Sequence, residues 1–443
     1  MKVSVVGLGK LGACTAACFA AKGHEVLGVD VNRSFVDAVN EGRAPVLEPR
    51  LEEMIELGHA RLRATTEAAR AISETDVTLL ILPTPSLPSG EFSNAFLESS
   101  LKDLGEALAK SSKPYHLFVV TSTTSPGSCD EVIVPLLERG SGRKLNEGFG
   151  VCYNPEFIAL GSVITDFLKP DLLLIGESNA AAGDTLVELY KPVHENAPQV
   201  ARMSLVSAEI TKISLNAYVT MKISFANGLM NICDRIPGAD VDAITRALGA
   251  DKRISPRYLR GALAFGGPCF PRDNRAFVAF ATRQGCEAHL AKATDAVNHE
   301  QTERLAEKIG SLLGSARKTP VAVLGLTYKA NTPVLEESPA VSIVKALLRR
   351  EHEVVVYDPL AIPQAKVLFG RSVAYADSAR ACFESSALCV IATDAAEFRQ
   401  IDSSYIRLPT TIIDCWRILD PKKLGASVTH VILGRCERIG APV

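Results

Sequence analysis

Short apolar runs separated by amphipathic stretches set the reading of the first part of the chain. Residues 3–6, 25–29, 77–82 and 117–121 read as strands with helical text between them, an alternation that predicts a parallel sheet with helices on both faces. Residues 151–153 and 172–175 extend that sheet. From Leu205 to about Asp234 the pattern becomes a long proline-free helix, followed by Ile236-Pro237-Gly238-Ala239-Asp240 and a further helical stretch ending near Leu248. After a basic segment at 316–318 the strand pattern restarts at 321–324. A helix at 338–350 and strands at 354–357, 387–392, 411–413 and 428–433 follow. The expected fold class is therefore α/β, with two doubly wound domains joined by a helical central region that carries one long helix. The corresponding divisions are 1–200, 201–300 and 301–443.

A length of 443 residues exceeds what one hydrophobic core usually supports, which agrees with several domains. A formal net charge of -2 leaves no basic excess for nucleic-acid phosphates, although it is compatible with a local basic pocket for one small anion. The opening MKVSVVGLGK runs directly into a strand and a glycine turn, unlike the charged, apolar and cleavage regions of a signal peptide. No apolar stretch approaches a membrane span. The chain reads as cytoplasmic, with neither nucleic acid nor membrane as a partner. The 11 cysteines include no Cys-x-x-Cys pair, so neither a zinc knot nor a thioredoxin-type pair is signalled and no metal is expected.

Gly7-Leu8-Gly9-Lys10-Leu11-Gly12 follows the first strand and opens a helix, the context in which a glycine fingerprint points to a dinucleotide. Gly7 permits the tight turn, Gly9 admits the pyrophosphate to the backbone, and Gly12 lets helix and strand pack closely. Leu11 lies in the same turn, and the helix start offers free N–H groups to the phosphates. Asp30 ends the second strand, where it would accept hydrogen bonds from the adenosine ribose and favour NAD over NADP. Arg33 keeps the 2′-phosphate question open. Pro83-Thr84-Pro85 and the Ser122–Gly127 segment, including Thr123, follow strand ends where open α/β sheets bind ligands. Either segment alone is also an ordinary turn. The second α/β domain repeats the plan with Gly325-Leu326-Thr327-Tyr328-Lys329 and Asp358, but without the full fingerprint. It is expected to bind something other than a dinucleotide in the standard way.

Phe265-Gly266-Gly267-Pro268-Cys269-Phe270-Pro271-Arg272-Asp273 is the segment richest in chemistry, with two glycines beside a cysteine and a carboxylate four residues on. A thiol becomes a nucleophile where its surroundings favour the thiolate. Local spacing alone does not separate that role from a buried filler. Lys212 and Asn216 stand at i and i+4 on one face of the long helix. Such a pair suits a developing oxyanion, or is simply a solvated helix face.

Taken together, GLGKLG, LPTP, STTSPG, YNPEF, AEITKISLNAY, FGGPCFPRD and GLTYKANT resemble the UDP-glucose/GDP-mannose dehydrogenase family over essentially the whole chain. The resemblance implies an N-terminal NAD-binding domain, a helical dimerisation core giving a homodimer or higher homo-oligomer, and a C-terminal domain for the nucleotide of a sugar nucleotide. Both α/β domains are then Rossmann-like. It also implies a four-electron, NAD-dependent oxidation of a C6 alcohol to the uronate, with UDP-glucose as first substrate and UDP-N-acetylhexosamine or GDP-mannose as alternatives. Cys269 would form the thiohemiacetal and thioester, Lys212 and Asn216 would hold the oxyanion, and Asp273, Glu156 and Thr123 would handle protons or water. Phe157, Arg253, Tyr258, Phe265, Gly266, Lys329 and Arg417, together with Glu156, Lys212 and Asn216, would meet the substrate.

Three positions depart from the family pattern: Leu160 replaces a second glutamate, Arg272 a lysine, and Glu336 an arginine near the cofactor phosphates. These departures leave open a non-catalytic sugar-nucleotide-binding protein. A two-electron hydroxyacid-type dehydrogenase is the other alternative, and it has no need of Cys269.

Overall fold

A computed structural model describes residues 1–314, 319–407 and 409–436; the basic segment at 316–318 lies outside them. The chain divides into two compact units, Met1–Ser214 and Leu215–Val443, with the boundary inside the long helix Leu205–Cys233.

The first unit is built on β1 (Lys2–Val6), β2 (Glu25–Val29), β3 (Leu62–Thr65), β4 (Val77–Leu80), β5 (Leu117–Val120), β6 (Gly150–Tyr153), β7 (Leu172–Glu177) and β8 (Gln199–Met203), in the order β3-β2-β1-β4-β5-β6-β7-β8. Every neighbouring pair is parallel except β6 with β7. That antiparallel pair departs from the fully parallel sheet expected from the sequence. One face packs on the helices Lys10–Ala21, Leu51–Gly58, Val163–Leu168 and Ala180–Tyr190. The other packs on Ala95–Lys110, Val134–Ser141 and the start of the long helix. Burial on both faces explains why β5 reads as a continuous apolar run and β1 and β4 as runs broken only by the buried Ser4 and Thr78. The strand order reverses between β1 and β4, the switch point at which such sheets open a ligand crevice beyond their C-terminal strand ends.

The second unit continues from the long helix through Val241–Ala250, Phe270–Arg283 and His289–Leu313 into a second sheet. Its strands are β9 (Val321–Leu324), β10 (Val354–Tyr357), β11 (Ala374–Tyr375), β12 (Leu388–Ile391), β13 (Thr410–Asp414) and β14 (Val428–Ile432), ordered β11-β10-β9-β12-β13-β14 and all parallel. The two sheets thus share one winding, and the protein has the α/β, doubly Rossmann-like architecture with a helical middle. Among the described residues no helix is long and apolar enough to cross a membrane.

Candidate active site

The glycine turn after β1 has the geometry its sequence demands. Gly7 sits at φ +97° and donates its N–H to Val29 O at 2.8 Å. A Cβ there would lie 2.3 Å from Ile81 O, and one on Gly12 would lie 1.8 Å from Gly7 O, so neither position accepts a side chain. Gly9 differs: a Cβ on it would meet nothing within 4 Å. Gly9 is also the N-cap of Lys10–Ala21, a helix with neither a side-chain cap nor an acid in its first turn. Open space above free N–H groups fits a pyrophosphate. Leu11 is half-buried there and Arg33 is exposed at the start of the next helix.

Asp30 is tied into the turn more closely than its sequence position suggests. Its Oδ2 accepts the Leu8 N–H at 2.6 Å and its Oδ1 accepts the Asn32 N–H at 2.8 Å. Each oxygen retains a further lone pair for a ribose hydroxyl. In the second unit Asp358 accepts from Leu326, Thr327, Leu360 and Ala361 N–H groups and is 3 % exposed. The echo between the two aspartates is thus one of backbone clamping, with Asp358 saturated and Asp30 half-open.

The loops after β4 and β5 are joined to each other. Thr84 Oγ1 donates to Thr123 O at 2.7 Å, and Ser122 Oγ accepts the Leu82 N–H at 2.8 Å. Pro83 is exposed and Thr123 half-buried. Glu209, which sequence reading did not single out, anchors this region to the long helix. Its carboxylate accepts Thr124 Oγ1 at 3.0 Å, Gly127 N–H at 2.7 Å and Cys129 N–H at 2.9 Å. Full burial pushes its pKa up, partly offset by these hydrogen bonds.

One turn further along the helix, Lys212 is buried and donates to the Glu156 carbonyl at 2.8 Å, with its ammonium 4.7 Å from the Phe157 ring centre. It is no solvated helix face. The Glu156 carboxylate accepts the Tyr190 hydroxyl at 3.4 Å, and desolvation pushes its pKa up to about 7. Leu160 packs against the apolar core of this unit. The turn after it is held by Glu48, also unforeseen, whose carboxylate accepts the Gly161 and Val163 N–H groups at 3.2 and 3.1 Å.

In the second unit, Cys269 is exposed and forms the N-cap of Phe270–Arg283. Asp273 lies one turn in, 2 % exposed, and accepts Asn216 Nδ2 at 2.6 Å. The structure therefore joins two of the expected catalytic residues that are 57 positions apart. Arg272 is half-buried in the same turn.

The two glycines before the cysteine are closely packed. A Cβ on Gly266 would lie 2.1 Å from Glu337 O, and one on Gly267, at φ +83°, would lie 2.5 Å from the Tyr328 ring. Phe265 is buried, and Asn298 clasps its backbone by accepting its N–H at 2.7 Å and donating to its carbonyl at 3.0 Å.

Arg417 was expected to reach the sugar nucleotide, but its side chain is 3 % exposed and committed within this unit. It pairs with Asp242 at 2.8 Å and donates to Gly261 O and Leu433 O. As placed, Arg417 ties parts of this unit together. Arg253 is exposed and pairs with Asp251, Tyr258 is exposed with its ring edge-on to Phe270 at 6.1 Å, and Lys329 and Glu336 are exposed.

Three family models match consecutive parts of the chain: the NAD binding domain over residues 1–194, the central domain over 206–300, and the UDP binding domain over 322–421. The chain belongs to the UDP-glucose/GDP-mannose dehydrogenase family. Its cofactor is therefore NAD, as the open glycine turn allows, and its class is that of the family's oxidoreductases. Among curated relatives, the UDP-glucose 6-dehydrogenase AglM of Haloferax volcanii is 37% identical over 98% of this chain and 100% of its own. The GDP-mannose 6-dehydrogenase of Pseudomonas putida is 36% identical over 81% of each. A solved UDP-glucose dehydrogenase from Pyrobaculum islandicum superposes with a TM-score of 0.90, at 32% identity and 98% coverage of both chains.

Proposed function

We propose that this family member oxidises the C6 alcohol of a nucleotide-linked hexose to the carboxylate in two NAD-dependent steps, with UDP-glucose as its first substrate. The observation carrying the reading is Cys269, exposed at a helix N-cap one turn from the Asn216–Asp273 pair. Helix N-termini favour a thiolate because unpaired N–H groups and the helix dipole stabilise negative charge. A two-electron dehydrogenase has no use for that thiol.

NAD⁺, when bound, supplies the hydride acceptor for both oxidations, held by Gly7, Gly9, Leu11, Gly12, Asp30 and the loops at Pro83-Thr84 and Thr123. The protein's own residues do the rest. Asp273, oriented by Asn216, takes the alcohol proton directly or through water as the aldehyde forms. Cys269 sulfur then bonds to the aldehyde carbon, and Lys212 and Asn216 stabilise the oxyanion of the thiohemiacetal. Its oxidation leaves a thioester on Cys269. Water adds to the thioester carbonyl, losing its proton to Glu156, and the C–S bond breaks to release the acid and the thiol. Glu156 suits that step because its proton affinity lies near neutral pH. Leu160 carries no ionisable group, which leaves Glu156 as the carboxylate of the YNPEFIAL segment.

UDP-glucose ranks first because the relative matching this chain end to end is named for it, and GDP-mannose follows on the second relative. The same reading includes a homodimer or larger homo-oligomer built on the long helix. The test counts NADH formed per sugar nucleotide consumed, across UDP-glucose, UDP-N-acetylhexosamines and GDP-mannose. Two NADH with UDP-glucose is the expected result; one would indicate a two-electron enzyme, and none with any sugar a binding protein.

A further inference from the structure

Within the second unit, a cavity of about 310 Å³ opens between the end of the long helix, the helix His289–Leu313, Ala262-Leu263 and Leu433. None of the residues assigned above to chemistry or to substrate lines it. Its floor is apolar, formed by Met230, Leu263, Leu305 and Leu433. Its polar side is cationic. Arg304 and Lys308, one turn apart, share the single carboxylate of Asp234 at 3.8 and 3.4 Å, and that carboxylate also accepts the Gly434 N–H at 2.6 Å. Arg235 lines the same cavity, and Glu307 is the remaining acid. Three cations against two carboxylates leave a net positive lining, with both Arg304 and Lys308 about one-third exposed.

A second observation points to a ligand. Gln301 lines the cavity and is 6 % exposed. Its Oε1 accepts Asn231 Nδ2 at 2.9 Å, while its Nε2 is buried with no hydrogen-bond partner among the described residues. A buried amide donor is costly to leave unpaired, so its place beside two cations suits an acceptor brought from outside. The wall is also rigid: Asn227 accepts the Ala262 N–H at 2.8 Å and donates to Leu263 O at 3.1 Å, and it is fully buried. A rigid wall lowers the ordering cost of binding.

We propose that this cavity is a second ligand site that takes an organic oxyanion. The phosphate or carboxylate head would sit on Arg304, Lys308 and the Gln301 amide, and the apolar or ring-shaped body on Met230, Leu263 and Leu433. The volume matches the lower end of small-molecule sites. The proposal stands independently of the sugar substrate.

Calorimetric titration of the full chain with phenyl phosphate, benzoate, inorganic phosphate and neutral phenol tests it, with the sequence-assigned site filled by NAD⁺ and UDP. Either organic anion is expected to bind more tightly than inorganic phosphate, with phenol not binding; comparing phenyl phosphate with benzoate identifies the preferred head. Gln301→Leu, which keeps size and removes the donor, should weaken binding about tenfold. Lys308→Ala should do likewise, with NADH production from saturating sugar nucleotide unchanged in both variants. Binding that is equal in wild type, Gln301→Leu and Lys308→Ala, or absent for both organic anions, overturns the proposal. Tighter binding of phenol than of the anions overturns it too, by making the cavity an apolar site. If Lys308→Ala loosens the fold, Gln301→Leu still decides.

Discussion

Cys269 stands at the N-cap of Phe270–Arg283, while Asp273, whose N–H donates to the Cys269 carbonyl at 2.8 Å, is buried one turn inward. Cys269→Ser is expected to lower acid formation by at least about a thousandfold, because the weaker nucleophile removes the covalent route. NAD⁺ binding, read by fluorescence titration, should stay within twofold of wild type, since Gly7, Gly9 and Asp30 are untouched. Acid made at the parental rate would refute the covalent mechanism. At Glu156, burial raises the carboxyl from 4.5 to about 7, so the folded chain holds its proton more tightly than the unfolded chain does. The Glu156 contribution to stability therefore falls as pH rises from about 4.5 through 7. A base that works only when ionised gives the opposite trend in rate, with acid formation rising through about pH 7. Glu156→Gln should abolish both that kinetic limb and that stability slope, as pH–rate profiles and denaturant melts would show. The glycine beside Phe265 carries a prediction of a different kind. Gly266→Ala brings a Cβ to within 2.1 Å of Glu337 O and should cost about 1–3 kcal/mol in unfolding free energy. In the sequence these glycines read only as neighbours of a cysteine, with Gly266 expected at the substrate. Their real neighbours, Tyr328 and Glu337, lie more than 60 positions away, beyond the reach of local spacing.

Glu209 shows how one helix residue can hold a loop in place. It receives the Thr124 hydroxyl and the Gly127 and Cys129 amides, which start the turn leading into Val134–Ser141. Glu209→Ala strips the acceptor from three buried donors at about 1–3 kcal/mol each. The expected outcome is a loss of several kcal/mol in urea unfolding, with earlier proteolytic cutting of the 122–129 loop. Thr124→Val removes one donor together with its need, and should cost far less. A small effect from Glu209→Ala would mean that the loop is held from elsewhere. The elements themselves were mostly legible because burial on both faces writes a strand as an uninterrupted apolar run. β2, β9 and β10 coincide with the expected 25–29, 321–324 and 354–357. β3 and β8 escaped because they are edge strands, with arginines at Arg63 and Arg202 interrupting the apolar text. The antiparallel β6–β7 pair was equally hidden, since strand direction is decided by the connecting segment 154–171 and not by the strands' own residues. Glu209, Glu48 and Asn298 went unnoticed for one shared reason: each is an ordinary polar residue whose partners lie 33 or more positions away.

At the scale of the whole molecule, the long helix carries a feature that the single chain does not explain. Tyr218, Phe225 and Ile232 recur at intervals of seven along it and are 59, 56 and 55 % exposed, within one turn of half-buried Met221 and Leu229. Seven residues are close to two helical turns, so these side chains form one stripe, the spacing at which a helix packs against another. A run of large apolar side chains in water is unfavourable and marks an association surface. The occupant we assign is a second copy of the same helix, because a two-fold interface places one self-complementary patch against itself and needs no further partner. Light scattering should then give at least twice the 47.4 kDa chain mass. Phe225→Asp with Ile232→Asp would place charges in the centre of the stripe and should shift the protein to the single-chain mass while leaving its circular dichroism unchanged. A wild-type mass of one chain at micromolar concentration would remove the dimer from the reading. An unchanged oligomer in the double variant would move the interface elsewhere on the molecule.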